Sequence, residues 1–293
     1  MEAYDMERCM RKEKYTLQDV HHCNDLLLAE VDRLCSLHDI KYYMDSGTLI
    51  GAVRHKGNIP WDDDVDICMS RRDFERFEKH CLAGELSEGF EYVHPRDYGE
   101  NHFFDFIPHI AYTKSHIQAD AGEMEFYNGK LNHILLDIFI LDDMPPSAVA
   151  CRWKKLRLKL IYMFSWAHRY EMDYSRYSPA GRLVVAVMSR IGRAFSQTTL
   201  LKWYDRVSRS DNGRGYSDSM PTNYPPSFFY VIFKKQWFSD TVKLPMDEFE
   251  FCAPAGWDAL LRECYGDYMQ LPPEEKRHPE HYDVDDPEFW IDM

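Results

Sequence analysis

Four carboxylates stand within five positions in the stretch Trp61-Asp62-Asp63-Asp64-Val65-Asp66-Ile67. Like charges this close repel, and a chain keeps them in a folded core only where something positive joins them. The flanks indicate a folded core: Val65, Ile67, Cys68 and Met69 read as a short strand, and Pro60-Trp61 closes the loop before it. Alternate side chains of a strand share a face. Asp62, Asp64 and Asp66 are therefore expected to point one way, and Asp63 and Val65 the other, which would make Asp63 the least important of the four. Asp64 and Asp66 would lie about 6.6 Å apart along the strand, close enough to converge on one hard cation. Magnesium takes one or two carboxylates together with water and substrate phosphates. A solvated acidic turn is the bland alternative, and the apolar strand that follows makes it the poorer account.

Residues just upstream supply the other half of such a site. Tyr42-Tyr43-Met44 reads as a strand, and Ser46-Gly47-Thr48 as a turn into a short helix over 49–54. Gly47 lets the backbone approach a ligand closely, Ser46 and Thr48 are able to cap the helix, and amides at a helix start attract phosphate. Arg54, His55 and Lys56 then place positive charge between that turn and the acidic strand. A lone Ser-Gly-Thr says little. A strand, a Gly turn, a helix and an Asp-x-Asp strand within thirty residues suit a site where the turn holds phosphates and the paired Asp hold the metal that bridges them.

A third carboxylate stands in Ile134-Leu135-Leu136-Asp137-Ile138-Phe139-Ile140-Leu141. The run has the length and β-branched content of a central strand, so Asp137 would be buried at a cost unless paired, hydrogen-bonded or serving a metal. Beside Asp64 and Asp66 it would be placed to take the proton of an acceptor hydroxyl. The alternative is a buried Asp bonded to a neighbouring Arg or Tyr.

The elements that must position these groups read as follows. An amphipathic helix covers 17–37. Strands fall near 41–45, 65–69, 90–94, 104–112 and 134–140. A helix capped by Ser70 covers 71–81 with Phe74 and Phe77 inward, helices fill 147–172 and 180–210, and 211–219 is a Gly/Ser/Asp loop. Short strands follow at 228–233 and 249–252, then a helix over 255–265 ended by Gly266. The Pro- and acid-rich tail is expected to wrap the body.

Together these blocks, Met44 to His55, Ile59 to Ile67, Leu136-Asp137-Ile138-Phe139 and Tyr265-Gly266-Asp267-Tyr268 followed by Arg277-His278, resemble the LicD family, whose animal relatives include fukutin and fukutin-related protein. The resemblance runs from about residue 16 to about 282. It implies a nucleotidyltransferase-like α/β (α+β) fold, a mixed β-sheet core with flanking helices. It implies metal-dependent transfer of a phospho-alcohol from a CDP-linked donor to a sugar hydroxyl of a cell-surface glycan, a teichoic-acid or lipopolysaccharide-type precursor. Phosphocholine is the first choice, from CDP-choline, with ribitol or glycerol phosphate as alternatives. Asp64 and Asp66, with Asp62 nearby, would hold Mg2+ or Mn2+, and Asp137 would be the third carboxylate. Ser46, Gly47, Thr48, Arg54 and Lys56 would face the donor, and His278 is a candidate phosphate or substrate contact.

Composition bounds the rest. The chain has 293 residues and net charge −14, yet residues 151–214 hold fourteen Lys and Arg against four Asp and Glu. The expected division is a catalytic core over 1–145, a basic helical subdomain over 146–215, and a C-terminal segment over 216–293 that packs back on the core. Basic amphipathic helices are able to rest on an anionic membrane or to cradle an acidic, lipid-linked acceptor; a packed subdomain with a solvated basic face is the plain alternative. An otherwise acidic surface disfavours nucleic acid. The chain shows no apolar run of membrane-spanning length and no signal peptide in its first twenty residues. Its eight Cys, Cys9, Cys23, Cys35, Cys68, Cys81, Cys151, Cys252 and Cys264, are scattered and form no Cys-x-x-Cys. These features favour reduced thiols in the cytoplasm, with the inner face of the cytoplasmic membrane as a possible station. His21-His22-Cys23 with Cys35 fits no common zinc spacing. A calcium loop fails because Ile67 occupies the Gly position and Asp73 the bidentate Glu position. An Asp-x-Asp glycosyltransferase usually places a nucleotide-binding half before its motif, and only about sixty residues precede it here. A noncatalytic glycan-binding protein would have little use for Asp64, Asp66 and Asp137 together.

Overall fold

The structure, a computed structural model, describes residues 15–117, 120–172, 175 and 178–292. Cys9 and most of the stretch read for a signal peptide lie outside these residues. Eight α-helices run among the described residues: α1 (Leu17–Leu37), α2 (Ser46–Ile50), α3 (Arg71–Leu82), α4 (Ala121–Phe126), α5 (Ala148–Ser165), α6 (Pro179–Gly192), α7 (Gln197–Ser208) and α8 (Trp257–Tyr265). The strands are β1 (Tyr43–Met44), β2 (Val65–Ser70), β3 (Phe90–Val93), β4 (His109–Tyr112), β5 (Ser115–His116), β6 (Ile134–Met144), β7 (Asp218–Pro221), β8 (Phe233–Lys234), β9 (Thr241–Met246), β10 (Phe249–Pro254) and β11 (Trp290–Ile291). The chain is a mixed α/β protein of α+β character.

The main sheet runs β1-β2-β6-β4-β3, with β7 on the far half of β6 and β8 on β7. Among the described residues only β2 and β6 are parallel, and their pairing puts Asp66 directly opposite Asp137. On its other side β6 pairs antiparallel with β4, and there Asp137 faces His109. A one-residue slip would turn every side chain to the other face. The apolar residues on both sides of each Asp, Val65 and Ile67 in β2 and Leu136 and Ile138 in β6, are buried and fix the register.

Helix α1 lays Val20, Leu27, Leu28, Val31 and Leu34 on this core, all fully buried. Each such side chain contributes about 1.5–3 kcal/mol of burial. The basic helices join the same core through Leu158, Ile161 and Tyr162 of α5 and Leu200, Tyr204 and Val207 of α7. Helix α6 packs through Val185, Ser189 and Gly192. Gly192 is required there, because a Cβ would stand 2.1 Å from the Phe164 carbonyl oxygen. One continuous hydrophobic cluster thus holds residues from all three spans read from the sequence.

Several elements differ from the sequence reading. Residues 104–108 are not strand, because Pro108 interrupts and the Asp105 carboxylate binds the Ile107 amide at 2.8 Å. Residues 228–232 are not strand either: the run Pro225-Pro226 starts a 3-10 turn over Pro226–Phe228, and pairing begins only at Phe233. The 180–210 helix is two helices joined by a turn at 193–196. Within the 211–219 loop, Asn212 is anchored to the Asp142 carboxylate at 2.6 Å. The β9–β10 hairpin extends a strand read only at 249–252.

Candidate functional site

Asp66, Asp137 and His109 form a row across three neighbouring strands, spaced about 4.8 Å from strand to strand. His109 Nδ1 lies 2.7 Å from Asp137 Oδ1, and its Nε2 lies 3.0 Å from the Tyr98 hydroxyl. Tyr98 in turn donates to Asp105 at 3.4 Å. Burial alone would suppress the charge on His109, but the Asp137 and Asp105 carboxylates more than reverse that and raise its pKa to about 10. The imidazolium donates from both nitrogens, so one oxygen of Asp137 is held by His109. The other oxygen has no hydrogen bond among the described residues, and 31% of the side chain is exposed.

Asp66 is buried, and its backbone is fixed twice: its N–H donates to Thr48 Oγ1 at 2.8 Å, and its carbonyl accepts from the Asp45 amide at 3.0 Å. Burial first, then Asp64, Asp137, Asp45 and Asp62, push its carboxyl well above the usual range. Asp64 keeps a third of its side chain exposed, yet burial of the rest and the adjacent Asp62 raise it to about 8. Asp62 is raised too, by burial foremost. Three neighbouring carboxyls stay raised even with His281 beside them, and their hard oxygen donors are of the kind magnesium takes. The residues present fit such an ion by chemistry. Among the described residues the three-ligand group already drawn within 4.8 Å is a different one, His38, His80 and Glu85. There two stacked imidazoles, 3.4 Å between centroids, bracket one carboxylate.

The loop before β2 explains the four-carboxylate cluster. The strand begins only at Val65, so 62–64 do not alternate as a strand would. Helix α1 braces the loop: His21 Nε2 meets the Asp62 carbonyl at 2.7 Å, and Asn24 donates to the carbonyls of Asp63 and Asp64 at 3.3 and 3.4 Å. Asp63, expected to matter least, is far from idle, and its carboxylate shares His281 Nδ1 with that of Asp64, at 2.9 and 3.9 Å. Fully buried, it accepts from the amides of His281 (2.8 Å), Tyr282 (2.7 Å) and Glu280 (3.4 Å) and meets His281 Nδ1 at 2.9 Å. These bonds outweigh burial and hold its carboxyl below the usual range, the reverse of its three neighbours. They also bring His281 within 3.9 Å of Asp64.

The turn at 45–48 is built differently from a simple phosphate loop. Asp45 is buried and accepts from the Tyr224 hydroxyl at 2.6 Å. Ser46 has φ 47°, uncommon for a side chain of its type, and its hydroxyl meets Tyr224 at 3.1 Å. Gly47 makes room for an acid as well as a ligand: a Cβ there would stand 2.5 Å from Asp62 Oδ2. Thr48 points into the core and holds β2. Arg54 lies 5.9 Å over the Trp61 ring and donates to the Tyr268 carbonyl. Lys56 is exposed at the far end of the helical run, where its backbone closes the last turn. His278 is exposed, its ring nearest the Pro279 carbonyl. Its neighbour Arg277 is the one that reaches the site, 5.5 Å over Trp61.

The structure therefore brings together Asp62, Asp64, Asp66, Asp137, Ser46, Gly47 and Arg54, sets Thr48 behind them, and leaves Lys56 and His278 outside their contacts. Sequence reasoning missed His109, His281, Asp63 as an anchor, and Tyr224. For His109 a signal existed, a single imidazole between Ile107-Pro108 and Ile110-Ala111. The others have partners some 180 to 220 residues away, which no local pattern reveals.

A family model described as LicD/FKTN/FKRP, nucleotidyltransferase domain, matches residues 39–139. The chain is 29% identical over 259 residues to the lipopolysaccharide cholinephosphotransferase LicD of Haemophilus influenzae, across 85% of this chain and 89% of that one. It is 36% identical over 105 residues to an uncharacterized protein of Rickettsia typhi, 34% of each chain. A further uncharacterized protein, of Rickettsia prowazekii, is 49% identical over 47 residues, 16% of this chain and 18% of the other.

Proposed function

We propose, for a chain that carries a LicD-family domain over residues 39–139, transfer of phosphocholine from CDP-choline to a sugar hydroxyl of a lipopolysaccharide-type glycan. The observation that carries this reading is the Asp66–Asp137–His109 row beside the raised carboxyls of Asp62 and Asp64. The likeness to a cholinephosphotransferase over most of both chains supports the choice of phospho-alcohol.

In this reading Asp64 and Asp66, with Asp62 beside them, hold magnesium, which supplies neutralising charge to the donor's phosphates. The acceptor hydroxyl oxygen attacks the phosphorus that bears choline, and the bond from that phosphorus to the CMP oxygen breaks. The hydroxyl proton passes to the free oxygen of Asp137. His109 holds the other oxygen and, tied to Tyr98, keeps the carboxylate turned toward the acceptor. Ser46 and Gly47 border the donor's phosphates, and the buried Thr48 steadies Asp66 from behind. The acceptor is lipid-linked, and the basic helices α5 and α6 face the anionic inner surface of the membrane that carries it.

The test is release of CMP from CDP-choline, CDP-ribitol, CDP-glycerol and CDP-ethanolamine with Mg2+ and a glycan acceptor. Turnover confined to CDP-choline is expected. Preference for another donor would replace the alcohol, and no release from any would remove the reading. Asp137→Asn should bind donor normally and lose at least about a hundredfold in turnover, the usual worth of a general base. Loss of donor binding instead would make Asp137 a ligand.

A further inference from the structure

Two guanidinium groups from distant parts of the chain meet at one indole. The guanidinium carbon of Arg54 lies 5.9 Å from the Trp61 ring centroid and that of Arg277 lies 5.5 Å from it. Each is steered by one or two bonds that leave part of its donor fork open. Arg54 gives Nε to His55 Nε2 at 2.9 Å and Nη1 to the Tyr268 carbonyl at 2.8 Å. Arg277 gives Nε to the Pro272 carbonyl at 2.8 Å. Arg54 Nη2 and both terminal nitrogens of Arg277 have no hydrogen bond among the described residues.

Burial and the nearby Arg277 both work against the charge on Arg54, and only Asp62 favours it. Asp62 is itself committed toward Asp64. Two cations lie within 6 Å of one ring centroid, and cation–π attraction helps hold both beside it before any ligand arrives. Open guanidinium forks bind phosphate oxygens in pairs. Trp61 stands next to Asp62, so the positive pair borders the acidic cluster.

We propose that Arg54 and Arg277 form the seat of the nucleotide donor's diphosphate, with Trp61 as its floor. Asp63 is then a positioning residue: by gripping 280–282 it sets the segment that carries Arg277. The assignment rests on the nucleotide-donor reading above, yet it concerns an anion and not the alcohol.

The experiment measures binding by calorimetry, with Mg2+ throughout, of three probes: inorganic pyrophosphate, CDP and cytidine. Arg277→Ala should weaken pyrophosphate and CDP about tenfold or more, the usual loss when a charge-assisted donor is removed, with cytidine unchanged. Arg277→Lys should fall between. Arg54→Ala should resemble Arg277→Ala, and the double variant should lose less than the product of the two, since both hold one anion. Amide exchange at 281 and 282 should stay slow in Arg277→Ala, which separates lost contact from a lost segment. Wild-type affinity for pyrophosphate and CDP in Arg277→Ala, or no binding of pyrophosphate by the unaltered protein, would overturn the seat. Arginine-dependent binding with no turnover of any CDP-alcohol would leave it standing and remove the transfer reading instead.

Discussion

Replacing Asp63 by Ala should release the C-terminal segment from the acidic loop. Its carboxylate receives the His281 and Tyr282 amides at 2.8 and 2.7 Å in a fully buried position. Hydrogen bonds to a charged group contribute about 1.5–3 kcal/mol each, which gives about 3–6 kcal/mol for the two. The Glu280 amide at 3.4 Å is long, and the His281 ring is half exposed, so neither adds much. Water entering the vacated space recovers part of the loss. The net expectation is about 3–4 kcal/mol, in the range seen on breaking a buried charge interaction. Urea denaturation would measure it, and hydrogen exchange would show the 281 and 282 amides losing protection while β2 and β6 keep theirs. Asp63→Asn retains one acceptor oxygen and should fall between. A shift below about 0.5 kcal/mol with the two amides still protected would refute the reasoning, because among the described residues nothing else binds them.

Further outcomes follow from the same site. Asp66→Asn removes a buried carboxyl that its neighbours already push upward; metal-free protein should melt no lower than the original, while transfer is lost. A markedly lower melting temperature would show that the carboxylate supports the fold. The His109 pKa is raised from 6.5 to about 10 by its partners. Its contribution to stability is therefore complete below about pH 6.5 and falls away as pH rises toward 10. Urea titrations at pH 7 to 10 should show that decline in the original and a flatter profile in His109→Gln; equal slopes would remove the pairing. For the basic helices, Val149, Trp153 and Leu156 of α5 and Leu183, Val184, Val187 and Ile191 of α6 are exposed beside Arg152, Arg157, Arg190 and Arg193. Flotation with anionic vesicles should exceed that with neutral ones and fall in Trp153→Glu. Equal flotation would leave these helices without a membrane role. No described helix is long and apolar enough to cross a bilayer.

What was legible in the sequence was local. Helix α1 announces itself by apolar spacing, and its bounds fall where the pattern begins and ends. Helix α3 does so by the Ser70 cap, whose hydroxyl accepts from the Asp73 amide. Asp137 stood out as one charge in an apolar run, and the register with Asp66 gives that observation its meaning. Strand β9 was hidden by Lys243 and Pro245, which suit an edge and not a central strand. Thr48 read as a cap because hydroxyls favour helix starts; the fold instead spends it on the Asp66 amide, a choice that depends on where β2 passes. Asp63 read as dispensable because strand alternation was extended one turn too early, and its partners arrive more than two hundred residues later.

That last separation sets a clock. Asp63 and His281 are 218 positions apart, and at ordinary rates of translation, about 5–20 residues per second, the ribosome needs on the order of 10–40 s to travel from one to the other. The Asp66–Asp137–His109 row can form long before, since all three are made within the first half of the chain. A nascent polypeptide can thus hold its acidic row with its Asp63 anchor empty, and Arg277 is made more than two hundred residues after Trp61. A message cut short after residue 270 would encode Asp62, Asp64, Asp66, Asp137 and Arg54 but neither Arg277 nor the 280–282 segment that Asp63 grips. On the proposed seat, Arg277 is the last of the site's charged groups to be made.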